Sequence, residues 1–126
     1  MALLGSAQER LEMLAIAARV KRPVAVAAGL LGIGGLAALV SQARLVLSVD
    51  SGPAHLAAAQ GIPLLSLYSG TNRLSQWAPR GPKVQVLQAG GFLCSPCELS
   101  QCPYDNACMR AISVSQVLTK TKELLR

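Results

Sequence analysis

Asp50, Ser51, Gly52 and His55 are the residues of this 126-residue chain whose types and spacing point most directly to chemistry. The acids are Glu9, Glu12, Asp50, Glu98, Asp105 and Glu123, so Asp50 is the only carboxylate between Glu12 and Glu98, and His55 is the only histidine anywhere. Work in the middle of the chain that needs a carboxylate or an imidazole therefore falls to these two side chains. They follow the apolar run Leu45-Val-Leu-Ser-Val49 and lead into Pro53, which fits the first position of a helix. Gly61 and Pro63 fit its end. A parallel strand that feeds a helix through such a turn presents free backbone N–H groups and the positive end of the helix dipole, which together hold an anion. Gly52 leaves the backbone approachable, Ser51 offers a hydroxyl and His55 a second donor from the first helical turn, as a diphosphate cradle requires. Asp50 would repel a bare phosphate at close range. Its expected work is to accept hydrogen bonds from sugar hydroxyls beside the phosphate, or from the turn's own amides. The bland alternative is a cap of the Asp-Ser-Gly kind with a solvated histidine; on spacing alone the two are evenly matched.

A second cluster lies in the loop 94–108, where Cys94, Cys97, Cys102 and Cys108 follow the spacing C-x2-C-x4-C-x5-C. Two thiolates three residues apart can reach one ion from a tight turn, which suits zinc or an iron–sulfur cluster. The rest of the spacing matches no standard ligand set, so metal, a pair of disulfides and free thiols all stay open, in that order. A catalytic thiol lacks a second histidine to activate it.

These groups must be positioned by alternating short apolar runs and helical patterns. Ala2–Leu4 reads as a strand stopped by Gly5-Ser6, and 7–20 as a helix with Leu11, Leu14, Ala15 and Ala18 at core spacing. A second strand spans 24–28, then a glycine loop and a helix over 34–43. The third strand, 45–49, is apolar enough to be covered on both faces. A helix over 53–60, a strand over 64–68, a polar loop over 69–82 and a strand over 84–87 follow. Helix 113–125 closes the chain, with Ser113 as its cap. Strands alternating with helices make an α/β fold with a Rossmann-like parallel sheet and flanking helices. The length suits a single domain over 1–126.

Composition narrows the classes. The chain is 52% hydrophobic, 3% aromatic and 14% charged, with a formal charge of +6. Soluble domains average about 25% charged residues, and disorder needs the opposite balance. The few scattered rings give no stacking platform for single-stranded nucleic acid, and no DNA-binding motif is present. The run 24–40 contains only Ala, Val, Leu, Ile and Gly. Its four glycines and β-type start favour a strand, loop and helix over a membrane span. The start lacks the features of a secretory signal, which argues for a reducing compartment. Lys120, Lys122 and Arg126 form a basic cluster, either a solvated face or an attraction for anionic partners.

The segment from Leu45 to Tyr68, with Asp50-Ser-Gly-Pro-Ala-His55 at its centre and Trp77-Ala-Pro79 after it, resembles the donor-binding half of glycosyltransferase family 9, which contains the ADP-heptose:lipopolysaccharide heptosyltransferases. The Asp-Ser/Thr-Gly-x-x-His motif is the most specific element, and Cys94-Ser-Pro-Cys97 occurs in part of the family. The resemblance implies that Ser51 and Gly52 hold the donor diphosphate, that Asp50 and His55 act on the sugar or its phosphate surroundings, that Glu9 lies near the ribose and that Leu31 lies near the nucleobase. Where the family usually reads Gly-Pro-Thr-Asp after the fourth strand, this chain has Ser69-Gly70-Thr71-Asn72, which removes an acid.

The family's enzymes are two-domain proteins of the GT-B type, whose N-terminal acceptor domain supplies the catalytic base. The expectation is therefore an N-terminally truncated donor domain of an inverting transferase, with no catalytic residue and no required cofactor in this chain, and inactive alone. The implied partners are ADP-heptose and, through the absent domain, a lipopolysaccharide-core acceptor. The implied place is the cytoplasm, with at most peripheral contact at the inner face of the bacterial inner membrane. The competing class is a non-catalytic binding or metal-stabilised module of the same fold.

Overall fold

The computed structural model describes residues 1–126. They fall into two compact units, Met1–Leu36 and Ala37–Arg126. In the first, β1 (Ala2–Leu3) and β2 (Ala25–Val26) pair in parallel, with Leu3 opposite Val26. Helix α1 (Arg10–Arg19) connects them and packs on β2. Pro23 and Gly5 punctuate the chain as expected, and the Gly29 N–H donates to the Gly5 carbonyl at 3.0 Å to close the ends of the two strands.

The burial of α1 differs from the expected one. Leu11 is 79% exposed and Leu14 44%, with Ala15 and Ala18 also outside, while Met13, Ala17 and Val20 turn inward. Apolar residues occupy almost every position from Leu11 to Ala18. Spacing then supports two faces equally, and the contact with β2 selects the second.

The second unit is built on β3 (Val46–Val49), β4 (Leu64–Tyr68) and β5 (Val84–Gln88), all parallel in the order β3-β4-β5. Helix α2 (Ile33–Ser41) spans the division between the units, and α3 (Gly52–Ala59) packs on β3 and β4. Two short helices, α4 (Leu74–Trp77) and α5 (Ala107–Arg110), form inside segments read from sequence as loops. Helix α6 (Val114–Leu124) carries the expected Ser113 cap as a full capping box with Gln116. It packs on β4. Within it Lys120 pairs with Glu123, whose carboxyl is held below its usual range chiefly by that hydrogen bond. No helix is long and apolar enough to cross a membrane.

The strand covered on both faces is β4, not β3. Leu64, Leu65, Ser66 and Tyr68 are all 0% exposed, whereas Leu47 and Val49 on β3 are half exposed. The reason is position: β4 lies between two neighbours, and β3 is an outer strand of the three. Ser66 sits in this core with its Oγ buried and unpartnered. An unmet buried hydroxyl costs about 1–3 kcal/mol. Ser66→Ala is therefore expected to raise stability by about 1 kcal/mol, read as a higher urea midpoint at unchanged slope; a loss of stability would show that the hydroxyl has a partner.

Candidate functional site

The strand β3 ends at Val49, and α3 begins at Gly52, so Asp50 and Ser51 form the whole connection. Pro53 occupies the first turn of α3, where its missing N–H deprives no carbonyl of a partner. At the far end Gly61 adopts φ +69°, with its N–H on the Ala58 carbonyl and the Ile62 N–H on the Ala57 carbonyl. That is a Schellman stop at the glycine the sequence marked. The helix is thus fixed at both ends by local chemistry, and its N-terminus is aimed by β3.

At that N-terminus Ser51 is extended and makes no side-chain cap. Its hydroxyl turns back instead, 3.2 Å from the Val49 carbonyl and 2.9 Å from the Ser48 hydroxyl. The first-turn amides are left without a side-chain acceptor, as an anion site requires. An added Cβ at Gly52 would meet nothing within 4 Å, so the space over the turn is open. His55 is exposed on the first turn of α3. The hydroxyl assigned to a phosphate from sequence is therefore engaged with the strand, while Gly52 and His55 remain available.

Asp50 is fixed by two residues that sequence reasoning did not include in the site. Its Oδ1 accepts from the Tyr68 hydroxyl at 2.9 Å, and its Oδ2 accepts from the Asn72 side-chain amide at 2.6 Å. Tyr68 is fully buried, and its hydroxyl also lies 2.7 Å from the Trp77 carbonyl. Burial, followed by the hydrogen bond and charge of Asp50, pushes the phenol far above its ordinary range, so it remains a neutral donor. The turn's own amides do not serve Asp50. The signal for Tyr68 was present in the register: Val49 lies opposite Leu67, and one step further along both strands brings Asp50 level with Tyr68. Asn72 stands in the Ser69–Asn72 stretch that sets this chain apart, and it brings an amide donor to the Asp50 carboxylate.

Glu9 and Leu31 belong to the first unit and Asp50–His55 to the second. The Glu9 Oε2 accepts from both the backbone N–H and the hydroxyl of Ser6, each at 2.7 Å. These bonds, the backbone one foremost, hold its carboxyl below the usual range. Leu31 is exposed in the loop after β2.

The four cysteines are all free. They line one cavity of about 260 Å³. No three His, Cys, Asp or Glu side chains gather closely enough to hold an ion. Each of three sulfurs faces a different partner: Cys108 Sγ the Gly70 N–H, Cys97 Sγ the Thr71 hydroxyl and Cys102 Sγ the Tyr104 N–H.

Residues 1–108 match glycosyltransferase family 9 (heptosyltransferase). The chain is 39% identical over 70 residues to lipopolysaccharide heptosyltransferase 3 of Escherichia coli, a match covering 56% of this chain and 20% of that protein. Its fold superposes on a glycosyl transferase family 9 structure from Veillonella parvula with a TM-score of 0.84 at 22% identity, covering 98% of this chain and 36% of that one. It also superposes on the E. coli ADP-heptose lps heptosyltransferase II with a TM-score of 0.80 at 23% identity, covering 98% and 35%. The chain thus spans about a fifth of that relative by sequence and about a third of each solved structure. Because the matched residues take in β1 through the Cys108 loop, and with them the whole Asp50–His55 turn, the chain belongs to glycosyltransferase family 9.

Proposed function

We propose that this chain is the donor-binding part of an inverting GT-B-type glycosyltransferase that moves heptose from ADP-heptose to the lipopolysaccharide core, working in the cytoplasm at the membrane's inner face. The observation that carries the reading is the turn from β3 to α3, where an open glycine, an uncapped helix N-terminus and an exposed histidine stand beside a carboxylate held in place from behind. The E. coli relative is a lipopolysaccharide heptosyltransferase, and one solved neighbour is an ADP-heptose enzyme, which supports the choice of donor and acceptor.

In an inverting transfer the acceptor hydroxyl attacks the anomeric carbon, the bond to the diphosphate breaks and the leaving group takes the negative charge. First-turn N–H groups of α3 and the His55 imidazole meet that charge as it develops, and preorganised donors of this kind act without reorganising at the moment of reaction. Tyr68 and Asn72 each donate to one oxygen of Asp50, and a second lone pair on each oxygen stays open to a sugar hydroxyl. Its place is to hold the sugar side of the donor and the shape of the turn. The base comes from the acceptor-binding part of the enzyme.

Calorimetric titration of the chain with ADP, ADP-heptose and UDP-glucose tests the reading. The adenine ligands are expected to bind, and Asp50→Ala and His55→Ala are each expected to weaken them about tenfold, equivalent to about 1.4 kcal/mol. These 126 residues alone are expected to show no transfer. No adenine-nucleotide binding, or binding indifferent to both substitutions, would favour a module that uses this fold for another partner.

A further inference from the structure

The cysteine cavity and the Asp50 site share one wall. That wall is the stretch Gly70–Asn72: Gly70 and Thr71 line the cavity together with Cys94, Cys97, Cys102 and Cys108. Asn72, the next residue, donates to Asp50 Oδ2 at 2.6 Å. The cysteine segment grips this wall at four points. The Gly70 N–H points at Cys108 Sγ, 3.2 Å away. The Cys97 N–H donates to the Gly70 carbonyl at 3.0 Å, and the Glu98 N–H donates to the Thr71 carbonyl at 3.1 Å. Cys97 Sγ lies 3.9 Å from the Thr71 hydroxyl.

A side chain larger than hydrogen has little room at Gly70. Gly70 is buried, and a Cβ added there would fall 3.1 Å from both Cβ and Oγ of Ser95 and 3.7 Å from Cys108 Cβ. A group joined to Cys108 Sγ adds bulk beside the Gly70 N–H and turns the sulfur's lone pairs, which shifts that N–H. The displacement is carried along the backbone to Asn72, two residues on. Coupling of this sort needs a contiguous path with few soft joints, and this path has one residue, Thr71, between the sulfur's partner and the residue that donates to Asp50.

We propose that the cavity is a thiol-modification site that controls the Asp50 carboxylate, with Cys108 and Cys97 as the residues that transmit the change. The reagent class is a low-molecular-weight disulfide. The Cys108 thiol gives up its proton and attacks one sulfur of the reagent; that S–S bond breaks, a mixed disulfide forms, and the other half leaves and takes up a proton as a thiol. A second cavity cysteine then attacks Cys108 Sγ in the same way. The second half of the reagent leaves, so two protein thiols are oxidised to one disulfide while one reagent disulfide is reduced to two thiols. Either product removes the sulfur from the Gly70 N–H and draws Asn72 off Asp50. The consequence for donor affinity rests on the proposed donor-binding role, but the movement of Asn72 does not.

The test uses the whole chain and oxidised glutathione. The Asn72 side-chain amide is followed by nuclear magnetic resonance, with its signal assigned from Asn72→Asp, and mass spectrometry reports the thiols. Oxidation is expected to move the Asn72 signal, to weaken ADP binding about tenfold, and to be reversed by dithiothreitol. The double variant Cys97→Ser/Cys108→Ser, checked for folding by its untreated spectrum, is expected to show no movement. An Asn72 signal that stays in place in a chain carrying a modified cavity thiol overturns the proposal, as does equal movement in the double variant or a chain that oxidised glutathione does not modify. A reduced chain that fails to bind ADP instead overturns the donor-site reading, while the Asn72 signal still decides the coupling.

Discussion

Gly29→Ala is expected to destabilise the first unit by about 3 kcal/mol, the sum of a left-handed backbone penalty and an overpacked contact. Gly29 has φ +72°, and a Cβ built on it would lie 2.6 Å from Ala7 Cα, 2.7 Å from Ala7 Cβ and 3.1 Å from Ala7 N. The obstacle is largely backbone, so no side-chain rotation relieves it. Nor can Gly29 retreat, because its N–H is held on the Gly5 carbonyl. Gly61 supplies the comparison that separates the two causes. Its φ is +69°, but nothing lies within 4 Å of its added Cβ. Gly61→Ala should therefore show the conformational penalty alone, about 1 kcal/mol. Amide hydrogen exchange at Ala25 and Ala27, which donate to the Met1 and Leu3 carbonyls, reads the effect directly, since 3 kcal/mol is roughly a hundredfold in opening equilibrium. Equal effects from the two substitutions would show that the approach of Gly29 to Ala7 is not a constraint.

Tyr68→Phe should lower stability by about 2–3 kcal/mol, because the one buried O–H that donates to the charged Asp50 carboxylate is lost. The shape of the ring is preserved, so little packing is lost. What disappears is the bond to Asp50 Oδ1 at 2.9 Å and the approach to the Trp77 carbonyl at 2.7 Å. The same phenol sets an alkaline limit. Its value in the fold is raised above the ordinary 10.0, so the folded state resists the ionised form. The stability it contributes is fully present below about pH 10 and is lost as the pH rises beyond that toward the folded value. The native chain should therefore lose stability above pH 10, and Tyr68→Phe should lack that part of the decline. Urea unfolding of both forms at pH 8 and pH 11 measures it. A substitution costing less than about 0.5 kcal/mol at pH 8 would mean that the hydroxyl is dispensable, and the clamp on Asp50 would then rest on Asn72 alone.

A shared pattern runs through the agreements and the corrections. The elements were legible wherever their causes are local. Pro53, Gly61 and Pro63 bound α3, Ser113 caps α6, and alternating apolar runs and helices imply the parallel pairing seen in both sheets. The loop helices α4 and α5 are only four residues long, shorter than the two turns over which periodicity can be recognised. The covered strand was misplaced because apolar character along one strand says nothing about its rank in the sheet. That rank is set by pairing with β5, a segment nearly forty residues away in the chain.

By itself the sequence determined the α/β class, the order of strands and helices, the family and the Asp50–His55 turn, since these rest on residue types a few positions apart. Tertiary structure alone decided which face of α1 is buried, which donors hold Asp50, and that four closely spaced cysteines line one cavity. The physical reason is range. Tyr68 and Asn72 reach Asp50 across 18 and 22 residues, and Gly70 reaches Cys108 across 38, separations at which a contact exists only because strand register has already brought distant side chains together.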